Sequence, residues 1–156
     1  MPRRSAPKRR QVFPDAKYGN RLVSMFLNKL MVEGRKSLAE RIMYEALDKI
    51  EEREKRDPIE VFEQAVQNAT PVVETKPRRV GGATYQVPVD IRAERRMALA
   101  LRWLLQSARA RRGRTMADKL ADELTDASKN EGVTIKKKTD THRMAEANRA
   151  FAHFRW

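Results

Sequence analysis

The residues with the most chemistry to offer are cations, and their spacing suits phosphate. Lys76-Pro77-Arg78-Arg79-Val80-Gly81-Gly82-Ala83-Thr84-Tyr85-Gln86-Val87-Pro88 reads as two extended runs folded back on a Gly-Gly turn. Both central positions of a type I′ hairpin turn need positive φ, which glycine supplies without strain. A thin basic ribbon has little to bury and is well shaped to lie against a nucleic acid. A second set follows on one helical face: at about 100° per residue, Arg92, Arg95, Arg96, Arg102 and Arg109 fall together, opposite an apolar stripe. Arg111, Arg112 and Arg114 extend this run, and Arg35 and Lys36 place two further charges at a helix start. Lys76, Arg78 and Arg79 arm the ribbon, and Arg3, Arg4, Lys8, Arg9 and Arg10 lie in a Pro-interrupted N-terminal stretch. Arginine predominates, which suits bidentate contact with phosphate and stacking on bases. Any one such run alone reads as a solvated face; four in one chain favour binding to a polyanion.

Composition bounds the alternatives. Lys and Arg number 34 against 21 Asp and Glu, a formal net charge of +13 over 156 residues. Self-repulsion of that size favours a polyanionic partner. With 40% hydrophobic residues the chain can still form a packed core, and its length fits one domain. The absence of cysteine excludes disulfides and thiolate metal sites. No apolar run approaches the roughly 18 residues of a membrane span, and Met1-Pro2-Arg3-Arg4 does not open a signal peptide. A cytoplasmic location is expected, with neither cofactor nor metal.

Catalysis is poorly supported. Asp140 and His142 stand two apart and do not share a helix face. Glu51-Glu52 sits on a polar face and is most simply solvated. Gly81-Gly82 lacks the Gly-Lys-Ser/Thr ending and the following helix of a nucleotide loop.

The elements that must position these cations are mostly helical. Asn20 caps a first helix expected to run to Gly34, carrying Leu22, Val23, Phe26, Leu27, Leu30 and Met31. Ser37-Leu38-Ala39-Glu40 has capping-box spacing and opens a second, and Asp57-Pro58 opens a third that Pro71 ends. The hairpin, about 72–80 paired with 83–89, needs its base held by the body, since isolated two-stranded ribbons are marginal. A fourth helix is expected over about Ile91–Ala110, a fifth over Thr115–Ser128, and a sixth over about Thr134–Ala150 after Gly132. Aromatics close the chain in Phe151-Ala152-His153-Phe154-Arg155-Trp156. Trp103 is read either as a base-stacking ring or, with Leu99, as packing under the hairpin; packing is favoured. Tyr85 is open between the same two roles. The expected architecture is mainly α: a single-domain bundle of about six helices with one protruding β-hairpin between helices three and four. A flexible basic arm (1–13), a helical binding body (14–150) and an aromatic tail (151–156) divide the chain.

Several of these stretches carry a resemblance. Arg78-Arg79-Val80-Gly81-Gly82, Tyr85-Gln86-Val87-Pro88, Ala98-Leu99-Ala100-Leu101-Arg102-Trp103, Lys136-Lys137-Lys138 and His142-Arg143-Met144-Ala145-Glu146-Ala147-Asn148 resemble bacterial-type small-subunit ribosomal protein seven. The ending Ala150–Trp156, Pro14-Asp15, Tyr18-Gly19 and Asn28–Lys36 fit as well, with Arg35 where Lys is usual and Phe154 where Tyr is common. The resemblance implies a non-enzymatic protein of the 30S subunit that binds the 3′ major domain of 16S rRNA and nucleates head assembly. It implies a ribbon tip (Arg78, Arg79, Gly81, Gly82, Tyr85) near exit-site tRNA and mRNA. Small-subunit proteins nine and eleven are the implied neighbours, and repression of its own operon mRNA occurs in some members. A DNA-binding architectural protein is the alternative from charge and ribbon alone.

Overall fold

The computed structural model describes residues 10–154. Its elements, in order, are α1 (Arg21–Leu30), α2 (Lys36–Glu54), α3 (Pro58–Ala69), β1 (Val73–Val80), β2 (Ala83–Asp90), α4 (Ala93–Ala110), α5 (Met116–Ser128), α6 (Gly132–Ala147) and a 3₁₀ helix, Arg149–Phe154. The helical bundle with one hairpin between the third and fourth helices is the architecture expected from the sequence. Arg3, Arg4, Lys8, Arg9, Arg155 and Trp156 lie outside the described residues.

α5 is the central post, packed on α2, α3 and α4, with Leu120 and Leu124 fully buried. Phe26 of α1 and Phe62 of α3 meet edge to face, ring centroids 5.6 Å apart, among Met43, Leu47 and Ile50. Full burial of a side chain of this size contributes about 1.5–3 kcal/mol. Side-chain caps start three helices, those at Asn20 and Asp57 as expected. The Asn20 side chain accepts from Leu22 N–H at 2.7 Å, that of Asp57 from Ile59 N–H at 2.9 Å, and that of Thr115 from Asp118 N–H at 3.1 Å.

Several boundaries differ from expectation. α1 ends at Leu30 and not at Gly34, because Met31 turns out of the helix (φ −58°, ψ 131°); Glu33 (φ 55°) and Gly34 (φ 74°) then make the left-handed turn that follows. That turn delivers Arg35 as the N-cap of α2, so helix two starts at Lys36 and no side chain caps it. Ser37 is already inside the helix, where its hydroxyl cannot close a capping box; Glu40 pairs with Lys36 at 3.3 Å. At the other end of the chain, α6 starts two residues early, at Gly132, and gives way after Ala147 to the 3₁₀ helix.

The hairpin register is antiparallel, Val80 opposite Ala83 and Val73 opposite Asp90. Gly81 (φ 57°) and Gly82 (φ 92°) form the turn between them. One face of the ribbon is less bare than its composition implies. Val87 is fully buried, and Glu74, Tyr85 and Val89 on the same face are partly covered. Arg79, Thr84, Pro77 and Gln86 form the exposed face.

A buried carboxylate ties the last three helices together. Glu123 of α5 is 0% exposed and accepts from the Arg111 guanidinium, from Thr134 N–H at 3.3 Å and from the Thr134 hydroxyl. Arg111 also reaches Asp126. Gly132 (φ +90°) passes so close that an added Cβ would stand 3.3 Å from Asp126 Cβ and 3.7 Å from Glu123 Oε1. Arg111, expected on the outer basic run, is thus turned inward, because Glu123 and Asp126 offer it two carboxylates. Arg111→Ala strands the Glu123 charge and should lower the free energy of unfolding by about 3–5 kcal/mol, read by urea melts. Glu123→Gln, which removes the charge itself, should cost less; equal, sub-kcal effects of both would show that the pair holds nothing.

Candidate nucleic-acid interface

The outward cations gather on the side of the bundle where α4 lies beside α1 and α6. Arg92, Arg102 and Arg109 are exposed along α4, and Arg112 and Arg114 follow its end. Arg109 Nη2 also caps α1, donating to the terminal Leu30 carbonyl at 3.4 Å. Arg96 is half-buried and donates from Nε to Ile91 O at 2.7 Å, which fixes the start of the helix. Arg10 is exposed and borders the same hollow as Arg21 and Arg95, beside the N-terminal end of α4. Arg35 and Lys36 stand out at the start of α2, each with a carboxylate neighbour, exposed Glu33 at 2.9 Å and half-buried Glu40 at 3.3 Å. Exposed pairs of this kind are worth little and exchange readily for a phosphate.

Two cations that the periodicity of α4 does not reveal join this face. Lys29 of α1 lines a hollow with Arg102 and Arg109. Lys137 of α6 donates to Gln106 Oε1 at 2.8 Å and stands 5.7 Å from the Trp103 ring centroid. Lys29 sits seven residues after Leu22, at the edge of the core stripe of α1, and that edge position is the signal available for it. Trp103 itself is 8% exposed and packs with Leu99 and Ile91 under the hairpin, the packing role favoured from sequence.

The ribbon is anchored at three heights. At its base, Val72 N–H donates to His142 Nε2 at 3.1 Å and Ile91 N–H to Val72 O at 3.0 Å. Above that, Arg95 grips Glu74 with both Nε and Nη2, at 2.9 Å each, while Lys76 approaches the same carboxylate at 3.5 Å. The Arg95 guanidinium holds the Glu74 carboxyl below the usual carboxylate range in spite of its partial burial. Arg95, expected among the phosphate ligands, therefore braces the ribbon against α4. Nearer the tip, Tyr85 stacks on Phe154 at 5.4 Å and leans on Phe151 at 5.0 Å, so the aromatic tail docks on β2. Arg78 lies cross-strand from Tyr85 and is half-buried; Arg79, Gly81 and Gly82 are exposed at the tip.

The carboxylates lie largely elsewhere. Lys49–Asp118, Arg53–Asp122 at 2.6 Å and Lys129–Glu54 at 2.8 Å form a ladder between α2 and α5. Arg102, Arg112 and Arg114 have no ion pair among the described residues. Their guanidinium groups face solvent at α4 and just beyond its end, with no internal counter-charge.

Residues 2–149 match the family model for ribosomal protein S7p/S5e. The chain belongs to that family. It is 60% identical, over all 156 residues and the full length of both chains, to the small ribosomal subunit protein uS7 of Thermomicrobium roseum. The uS7 protein of Carboxydothermus hydrogenoformans is 58% identical over the full length of both chains, and that of Chloroflexus aggregans 59% over 99% of this chain and 98% of its own. The family is one of ribosomal proteins and not of enzymes, and its setting is the small subunit and its RNA. His142 accordingly has a structural role, as acceptor for the ribbon base.

That role is pH-dependent. Partial burial, then the charge of Lys138, holds the His142 pKa below its ordinary 6.5. As pH falls through that ordinary value the unfolded chain takes up a proton first, so stability declines until the folded imidazole protonates as well. Protonation also removes the lone pair that accepts from Val72. Between about pH 7 and pH 5, Val72 amide exchange, corrected for intrinsic rates, should accelerate relative to α5 amides. His142→Ala should abolish the pH dependence; a Val72 amide indifferent to pH would contradict the anchor.

Proposed function

We propose that this chain is a primary RNA-binding protein of the small subunit that grips the 3′ major domain of 16S rRNA and nucleates assembly of the subunit head. The supporting observation is the unpaired basic face of Arg102, Arg109, Arg112 and Arg114, joined by Lys29 and Lys137 from two other helices. Cations drawn from α1, α4 and α6 are held at fixed separations by the core, so they suit one folded RNA shape better than an arbitrary strand. Helical RNA has a major groove too deep and narrow for side-chain readout, which leaves backbone, shape and unstacked bases as the features to recognise.

The ribbon has a different task. Braced by Glu74–Arg95 and the Tyr85 stack, it projects Arg79 and the Gly81-Gly82 tip away from the body. In this reading the tip lies at the subunit interface beside exit-site tRNA and mRNA, and small-subunit proteins nine and eleven are the protein neighbours. A face occupied by rRNA is closed to a second RNA, so repression of the protein's own operon mRNA belongs to the free protein.

Equilibrium binding to a 3′ major domain transcript, against unrelated RNA of equal length and duplex DNA, tests the proposal. Selective binding at physiological salt is expected. If about five phosphates are neutralised, the slope of log affinity against log salt should be roughly −3.5 to −4.5. Equal affinity for all three polyanions would reduce the interaction to net charge and overturn the primary-binder reading.

A further inference from the structure

Between α1 and α4 the basic face is not flat. Lys29, Arg102, Leu105, Gln106 and Arg109 line an open hollow of about 430 Å³, inside the roughly 300–1,000 Å³ range typical of small-ligand sites. Three of the five lining side chains are cations, drawn from two helices with the whole of α2, α3 and the hairpin between them in sequence. The floor is Leu105, a core residue only 6% exposed. Gln106 turns Oε1 toward Lys137, at 2.8 Å, which leaves its NH₂ end facing away from the lysine. Arg109 is tethered by one nitrogen to Leu30 O, so the rest of its guanidinium is held at the rim.

We propose that this hollow is a site for a single unstacked nucleotide of the bound RNA. The phosphate lies among Lys29, Arg102 and Arg109; the base lies on Leu105, with its edge toward the Gln106 amide. A bare phosphate fills little of the volume and leaves the apolar floor wet. A paired duplex cannot enter a hollow of this width, whereas loops and bulges splay single bases outward. The inference rests on the RNA-binding reading and assigns to it one point of shape recognition beyond backbone charge.

The test uses the full chain, titrated with each nucleoside 5′-monophosphate, with ribose 5-phosphate and with inorganic phosphate, followed by NMR. Mononucleotides should shift the Leu105 methyls and the Gln106 side-chain amide along with the arginine Nε signals. Ribose phosphate and inorganic phosphate should shift the arginine signals alone. Gln106→Glu, an exposed change that places a carboxylate among the three cations, should abolish the mononucleotide shifts and weaken the 3′ major domain transcript about tenfold. Leu105 and Gln106 signals unmoved by mononucleotides, or moved equally by inorganic phosphate, would overturn the site. So would a Gln106→Glu chain that binds the transcript as the unmodified chain does. Wild-type binding to the transcript, measured in parallel, separates the two levels: selective transcript binding with a silent hollow removes this site alone, and no selective binding removes the RNA reading beneath it.

Discussion

A carboxylate with no solvent contact constrains more of this molecule than any apolar group does. Glu123 must be paired where it is, since an uncompensated buried charge costs several kcal/mol. Its partners come from the end of α4 and the start of α6, so satisfying it fixes both helices against α5. Gly132 is the residue that lets α6 begin so close to the pair. α6 then sets the ribbon, through His142 at the base of β1 and through the 3₁₀ helix that carries Phe151 and Phe154 to Tyr85. A fold whose working surface is cationic thus depends on where one anion is buried.

The same economy governs the surface. A chain at +13 cannot neutralise all of its cations internally, and the α4 face holds one group of those left over. Carboxylates form the α2–α5 ladder and fasten the ribbon root at Glu74. The α4 face, by contrast, is left with arginines whose natural counter-charge is a phosphate backbone. Self-repulsion across that face disfavours the isolated protein, and under the proposed function RNA relieves it, so that the destabilising feature and the binding feature would be one. The Glu74–Arg95 clasp belongs to the opposite class: it removes an arginine from the binding surface in exchange for a ribbon of defined direction.

Features decided within a few residues were legible in the sequence. Asn20 and Asp57 act as caps because a short polar side chain meets its own backbone amides, and the Gly81-Gly82 turn follows from positive φ alone. Apolar stripes located the main core because burial follows helical period; Trp103 lies off the stripe, among the arginines, and its packing was favoured because Leu99 beside it has no stacking role. What failed did so for want of a partner in view. Arg111 continues a basic run and reads as outward; its inward turn depends on Glu123, twelve residues away on another helix. Ser37-Glu40 has the spacing of a capping box, yet the left-handed pair Glu33-Gly34 had already started the helix. Lys29 gains meaning only beside Arg102 and Arg109, and the packing of α1 on α4 is written in neither helix separately. Tyr85 could not be resolved because its stacking partners lie some seventy residues downstream.

The most direct test of a one-sided RNA face is residue-resolved chemical modification of lysine and arginine, quantified by mass spectrometry with and without small-subunit rRNA. Protection of Lys29, Arg102, Arg109, Arg112, Arg114 and Lys137 is expected, with Arg41, Arg53, Lys55 and Lys129 on the α2–α5 side as reactive as in the free protein. Protection spread evenly over both sides, or concentrated on the ladder, would contradict it.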